Sequence, residues 1–144
     1  MNNKLEKSDL FTMNKRLEIV IVDDEPHIAE IIKMYIEHFS NVSTIHTFND
    51  SSEAKVFIEQ NTIDVLITDF NMPNYSGIEL MELLPPSVKK VLISGYVSEV
   101  AGERLEQLGA VFFEKPVSMN VLGKMIRELE HALINQSATN HKLS

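Results

Sequence analysis

The sequence predicts an α/β protein: a three-layer α/β/α sandwich of the (βα)5 kind, built on one parallel sheet. Three observations carry this. Short apolar runs recur along the chain, amphipathic helical patterns alternate with them, and polar residues of chemical interest sit directly after the runs. Elements that alternate in this way cover both faces of a sheet, with right-handed crossovers.

The first strand is Ile19-Val20-Ile21-Val22. An unbroken apolar run, β-branched and too short for a helix, reads as a strand buried on both faces, hence parallel. Ile28, Ile31, Ile32, Tyr35, Ile36 and Phe39 then form a stripe at helical spacing. Pro26 stands just inside its start, where a missing N–H costs nothing. Val42 to Phe48 mixes Val42, Ile45 and Phe48 with Ser, Thr and His, as an edge strand does. Asp50 followed by Glu53 is a capping box in its Asp variant, leading into Ala54, Phe57 and Ile58. Val65-Leu66-Ile67 is the third strand, and Ile78 to Leu84 a short helix stopped by Pro85-Pro86. Val91-Leu92-Ile93 is the fourth strand. Val97, Val100, Ala101, Leu105 and Leu108 make the next stripe, ended by Gly109. After the fifth strand, Val111-Phe112-Phe113, Ser118 caps a helix with the stripe Val121, Leu122, Met125, Ile126, Leu129 and Leu133. A cap contributes ~1 kcal/mol, so these signals fix helix starts more than they stabilise the fold.

The organisation expected is a polar N-terminal extension over 1–16, one folded domain over 17–134 and a frayed polar tail over 135–144. Met13, ahead of Asn14-Lys15-Arg16, is a second candidate start. At 144 residues, 44% hydrophobic and 24% charged, the chain suits a single globular core. The absence of Cys excludes disulfides and thiolate metal sites and suits a reducing cytoplasm, the expected location. A net charge of −8 argues against direct nucleic-acid binding and reads first as solubility. No apolar run approaches the ~20 residues of a membrane span, so membrane insertion is not expected. The five histidines lack metal-ligand spacing and read as surface residues.

Position is the informative feature of the polar residues. Asp23 and Asp24 follow the first strand, Asp69 the third, Ser94 the fourth and Lys115 the fifth. In an open parallel sheet, ligands sit beyond the carboxyl ends of the strands, where neighbouring connections diverge. The strand order 2-1-3-4-5 is taken over from flavodoxin-like sheets rather than deduced, and it sets the first and third strands side by side. Asp23, Asp24 and Asp69 then converge. Each close carboxylate pair costs on the order of 4 kcal/mol at an effective dielectric near 20. Lys115 offers one compensating charge and a hard divalent cation two more. Mg²⁺ accepts one or two carboxylates and keeps several waters, which suits an open acidic corner. Singly, Asp24 reads as a helix cap, Ser94 as a turn residue and Lys115 as surface. Five such residues on one sheet edge are hard to assign to chance.

The segments Val22-Asp23-Asp24-Glu25, Asp69-Phe70-Asn71-Met72-Pro73-Asn74-Tyr75-Ser76-Gly77, Ile93-Ser94-Gly95-Tyr96 and Phe113-Glu114-Lys115-Pro116 together resemble the response-regulator receiver family of two-component and phosphorelay systems. The resemblance runs from about Leu17 to about His131. It implies that Asp69 is a phosphoacceptor. It also implies Mg²⁺ or Mn²⁺ held by Asp24 directly, by Asp23 largely through water, by Asp69 and by the Asn71 backbone carbonyl. Ser94 would donate its hydroxyl to a phosphoryl oxygen and move as part of a switch. Lys115 would pair with Asp69 or the phosphoryl group and precede a cis proline. Phe112 would be the switch aromatic, and Asn71 and Tyr96 would tune phosphoryl lifetime. Two departures stand out. Gly109-Ala110 lies one residue closer to Lys115 than the family commonly has, leaving Phe113 in competition with Phe112. Ser94 stands where Thr is common, so its rotamers are less restricted.

The family's partners would be a histidine kinase or histidine phosphotransfer protein as donor and a downstream protein target. With no second domain legible, the resemblance implies a single-domain regulator that acts by docking or by passing phosphate onward, and both outputs stay open. Bonds from Ser94 and Lys115 to a phosphoryl group, ~1.5–3 kcal/mol each, compare with the ~5.5 kcal/mol that moves a two-state equilibrium from 1:99 to 99:1. The face expected to read the change comprises the fourth helix, fifth strand and fifth helix. Three other readings compete. An Asp-nucleophile phosphohydrolase would need a second Asp where Asn71 stands. A phosphorylation-independent adaptor would have no use for the full set Asp23, Asp24, Asp69, Ser94 and Lys115. The third is a piece split from a larger regulator.

Overall fold

The computed structural model describes residues 16–41 and 43–143. Strands β1 (Leu17–Val22), β2 (Ser43–Phe48), β3 (Val65–Thr68), β4 (Lys89–Ser94) and β5 (Val111–Glu114) alternate with helices α1 (Pro26–Phe39), α2 (Ser51–Gln60), α3 (Gly77–Met81), α4 (Glu99–Gln107) and α5 (Met119–Leu143). The sheet is parallel throughout, in the order β2-β1-β3-β4-β5. Val22 lies opposite Phe48 and Thr68, and Ser94 opposite Glu114, while β4 runs two residues past β3, Thr68 lying opposite Leu92.

Strand alternation builds both cores. Leu17, Ile19 and Ile21 face one side, against Ile32 and Ile36 of α1 and Leu122 and Ile126 of α5. Val20 and Val22 face the other, with Ala54 and Ile58 of α2, Leu80 and Met81 of α3 and Leu105 of α4. Each fully buried aliphatic side chain contributes roughly 1.5–3 kcal/mol. The sheet is thus held from both faces, and its carboxyl edge stays open.

Several details differ from the sequence reading. Val42, placed there in the edge strand, and the N-terminal extension with Met13 lie outside the described residues. Three members of the expected helical stripes face outward: Ile31, Val121 and, at 78% exposure, Val100. Each lies about 100° around its helix from a buried neighbour, Ile32, Leu122 or Ala101, and the cores accept a narrower arc than the apolar letters span. Asp50 caps α2 through the Ser52 amide at 2.8 Å, while a reciprocal capping box forms at Ser76 and Glu79 of α3. Helical backbone continues to Leu143, through the stretch read as a frayed tail; that stretch contains no Gly or Pro to stop it. His46 is no plain surface residue: its Nε2 lies 3.0 Å from Glu18 Oε1 and its ring packs on Phe57.

Lys90 breaks the apolar pattern of β4. It is buried, and its ammonium donates to the carbonyls of Pro85 and Val88 at 2.8 and 3.0 Å. Burial holds its pKa below the ordinary lysine value. The two carbonyls explain how a charge is tolerated there, closing the Pro85-Pro86 turn onto the strand.

Candidate functional site

Three ladder hydrogen bonds that run one residue past the strands place the charged groups. The Asp23 amide donates to Phe48 O of β2 at 3.1 Å, the Asp69 amide to Val22 O of β1 at 2.9 Å, and the Lys115 amide to Ser94 O of β4 at 2.9 Å. Each residue has therefore left its strand while its backbone is still fixed by the neighbouring one. The order of strands turns this into a cluster. One carboxylate oxygen from each of Asp23, Asp24 and Asp69 lies within 4.8 Å of the others. Lys115 Nζ reaches in from β5, 3.1 Å from Asp23 Oδ2 and 3.4 Å from Asp69 Oδ1. The lysine thus sits slightly nearer Asp23 than Asp69, the partner expected from the family. The Lys115–Pro116 bond is cis.

The three acids differ in environment. Asp23 is buried, with Oδ1 accepting the Glu25 amide at 3.0 Å and its carbonyl held by Asn49 Nδ2. Asp24 is exposed. Asp69 is mostly buried and accepts the Phe70 amide at 2.8 Å. Burial raises the Asp69 pKa above the ordinary 3.8 and the charge of Asp23 adds to this, against the opposing Phe70 amide and Lys115. A raised pKa means that ionised Asp69 costs stability. The cost is absent below pH 3.8, grows as pH rises through the folded value, and is full above it. In chelator at neutral pH, Asp69→Asn is therefore expected to melt above the wild type, with a gain on the order of 1 kcal/mol. The gain should shrink as pH falls toward 3.8. Equal or lower melting of the variant at neutral pH would show that the corner is not electrostatically strained.

The other expected residues fall around this corner without all joining it. Ser94 is buried at the end of β4, and its hydroxyl donates to Tyr96 O at 3.1 Å. Asn71 is exposed beyond Asp69, and Tyr96 is 75% exposed. Of the two neighbouring aromatics, Phe113 packs against the α1/α5 core, and Phe112 faces out at 39% exposure. The two side chains thus point to opposite faces of the strand, as period-two alternation requires.

Gly77 has no role that the sequence alone assigns, and the structure supplies one. Its amide donates to Phe70 O at 2.9 Å, and a Cβ there would collide with the Asp69 carbonyl oxygen and press on Leu92. The first turn of α3 thus lies directly on the Asp69 backbone. Gly77→Ala is expected to cost about 1–3 kcal/mol by overpacking and to shift the Asp69 amide resonance. Unchanged melting with an unchanged Asp69 resonance would show the contact to be slack.

The family model described as response regulator receiver domain matches residues 19–127, and the chain belongs to that family. Receiver domains bind Mg²⁺ at an Asp cluster, and Asp23, Asp24 and Asp69 form an acidic group of that kind. The transcriptional regulatory protein YpdB of Escherichia coli is 24% identical over 127 residues, covering 86% of this chain and 52% of YpdB. The chain thus spans about half the length of the curated relatives it matches. Among solved structures, a CheY-like receiver domain protein from Methanospirillum hungatei superposes with a TM-score of 0.67 at 24% identity, covering 85% of this chain and 98% of its own. The N-terminal domain of a Wolinella succinogenes protein gives 0.75 at 21%, covering 83% and 98%. Both share the fold. No helix among the described residues is long and apolar enough to cross a membrane.

Proposed function

We propose that the chain accepts a phosphoryl group on Asp69 from a histidine kinase or histidine phosphotransfer protein, and that the phosphorylated form signals by docking to another protein or by passing the group onward. The observation that carries this is the Asp69 carboxylate itself, set in an acidic cluster within 4.8 Å and faced by Lys115 at 3.4 Å. An Asp69 oxygen forms the new bond to phosphorus while the bond from phosphorus to the donor's leaving atom breaks, its electron pair departing with the donor. The nucleophile is ionised at neutral pH and needs no general base. Lys115 stabilises charge on the transferring oxygens. Asp24 and Asp69, with Asp23 through water and the Asn71 carbonyl, are the groups suited to hold Mg²⁺ or Mn²⁺. Bound there, such an ion would offset the clustered acids and neutralise phosphoryl charge.

Ser94 reaches a phosphoryl oxygen only by releasing Tyr96 O. That release couples the site to the β4–α4 loop, and the outward Phe112 is the side chain placed to follow. The face of α4, β5 and α5 is the proposed readout. Asn71, two residues after Asp69, carries no acid, which favours signalling over ester hydrolysis. The test is incubation with Mg²⁺ and acetyl phosphate, read by intact mass. The expected result is a gain of one phosphoryl group, suppressed by chelator; no gain at saturating Mg²⁺ would overturn the proposal.

A further inference from the structure

The loop that follows Asp69 contains a sharply bent, strained turn. Asn74 has φ 75°, in the left-handed region, and the Tyr75 amide donates back to Pro73 O at 3.0 Å. This is the i→i+2 bond of a γ-turn centred on a residue with positive φ, a rare and unfavourable conformation that persists only where its surroundings enforce it. The enforcement comes from the start of α2. Ser51, 2% exposed, donates its hydroxyl to Pro73 O at 2.6 Å and accepts the Tyr75 amide at 2.9 Å. One oxygen thus bridges both ends of the turn, across more than twenty residues of sequence. Asp50 adds a longer contact, accepting from Asn74 Nδ2 at 3.3 Å.

We infer that Ser51 is a positioning residue for the cation-binding loop. Pro73 lies two residues beyond Asn71, whose carbonyl is the third protein ligand in the proposed function, and the inference rests on that reading. A carbonyl ligand has no side-chain freedom with which to find the ion. Its place is set by the backbone, and Ser51 anchors the far end of that backbone. Met72, Pro73 and Asn74 also share with Asp24 and Ser51 the lining of a cleft of about 240 Å³ beside the acids. The clamp and Asp24, one of the proposed ligands, therefore line the same cleft. Groups that orient ligands from outside the coordination shell typically alter metal affinity 10–100-fold when removed.

The experiment is Mg²⁺ titration of the whole chain, followed by NMR, with amide exchange at Tyr75 measured in chelator. Ser51→Ala is expected to weaken Mg²⁺ binding about tenfold and to speed Tyr75 exchange. Glycine adopts φ 75° without penalty, so Asn74→Gly placed on Ser51→Ala should restore much of the affinity. Loss of a merely structural contact would lower melting without this recovery. Ser51→Thr, which keeps the hydroxyl, provides the readable variant should alanine fail to fold, and it is expected to retain wild-type affinity. Wild-type affinity in Ser51→Ala, or weakened binding that Asn74→Gly leaves unrepaired, overturns the inference while the phosphoacceptor reading stands. A wild type that neither binds Mg²⁺ nor gains mass with acetyl phosphate overturns that reading itself.

Discussion

Asp69→Asn is expected to reduce phosphoryl uptake from acetyl phosphate to background, with the fold intact. The substitution keeps the shape of the side chain and an oxygen to accept the Phe70 amide, which is 2.8 Å away in the wild type. What it removes is the charge and the nucleophile. A neutral amide oxygen attacks phosphorus poorly, and nothing else in the corner can replace it: Asp23 is buried and tied to Lys115 at 3.1 Å, while Asp24 is exposed at the rim. The same variant should melt higher than the wild type in chelator. Lost uptake in a more stable protein separates the chemical role of Asp69 from a structural one, because a residue needed for folding would lose both together. Retained uptake at the wild-type rate, mapped by peptide mass spectrometry to Asp23 or Asp24, would move the phosphoacceptor to that residue.

Lys115→Met is expected to have the second largest effect, on stability and chemistry at once. Methionine keeps most of the apolar stem, which lines one cleft with Ile28, Ile32 and Val117, so the change isolates the ammonium. Without it, Asp23 and Asp69 face each other with no compensating charge. The expected cost in chelator is on the order of 2 kcal/mol, below the ~3–5 of a fully buried pair. The discount reflects the 24% of the lysine side chain still exposed. Mg²⁺ should restore part of the loss, since a divalent cation offsets the same carboxylates. Burial works to lower the Lys115 pKa, but the Asp23 hydrogen bond and the charges of Asp23 and Asp69 outweigh it and raise the value above 10.5. The stabilising contribution is therefore full below pH 10.5 and lost as pH climbs through the folded value. Phosphorylation should slow by roughly 10²-fold, the usual consequence of removing one preorganised charge from a transferring group. Unchanged melting in chelator and an unchanged rate would together show that the lysine contacts carry no energy.

Much of this was legible in the letters, for identifiable reasons. The runs at Ile19, Val65 and Val91 read as buried strands because they are too short for helices, rich in β-branched residues and free of the polar alternation of a half-exposed sheet. Asp69 and Lys115 could be placed at strand ends for the same reason. Helix faces were less legible: Val100 and Ala101 are equally apolar letters, and only the width of the contact with the sheet separates the exposed one from the buried one. Lys90 and Ser51 were not legible at all. A lysine inside a strand and a serine at a helix start look ordinary until the carbonyls of Pro85, Val88 and Pro73 are seen converging on them. Those carbonyls belong to loops whose paths no local pattern encodes.

By itself, the sequence determined the alternation of elements, the strand ends at which the acids and the lysine stand, and the residue types a phosphoryl-accepting corner requires. The tertiary structure decided which of those groups share space: that Lys115 leans toward Asp23, that the Ser94 hydroxyl turns to Tyr96, that Phe113 rather than Phe112 joins the core, and that Ser51 braces the turn at Asn74. The reason is physical. Periodicity and propensity act over a few residues, whereas all of these contacts but the local Ser94–Tyr96 bond join segments that meet only when the parallel sheet assembles and its carboxyl edge is formed.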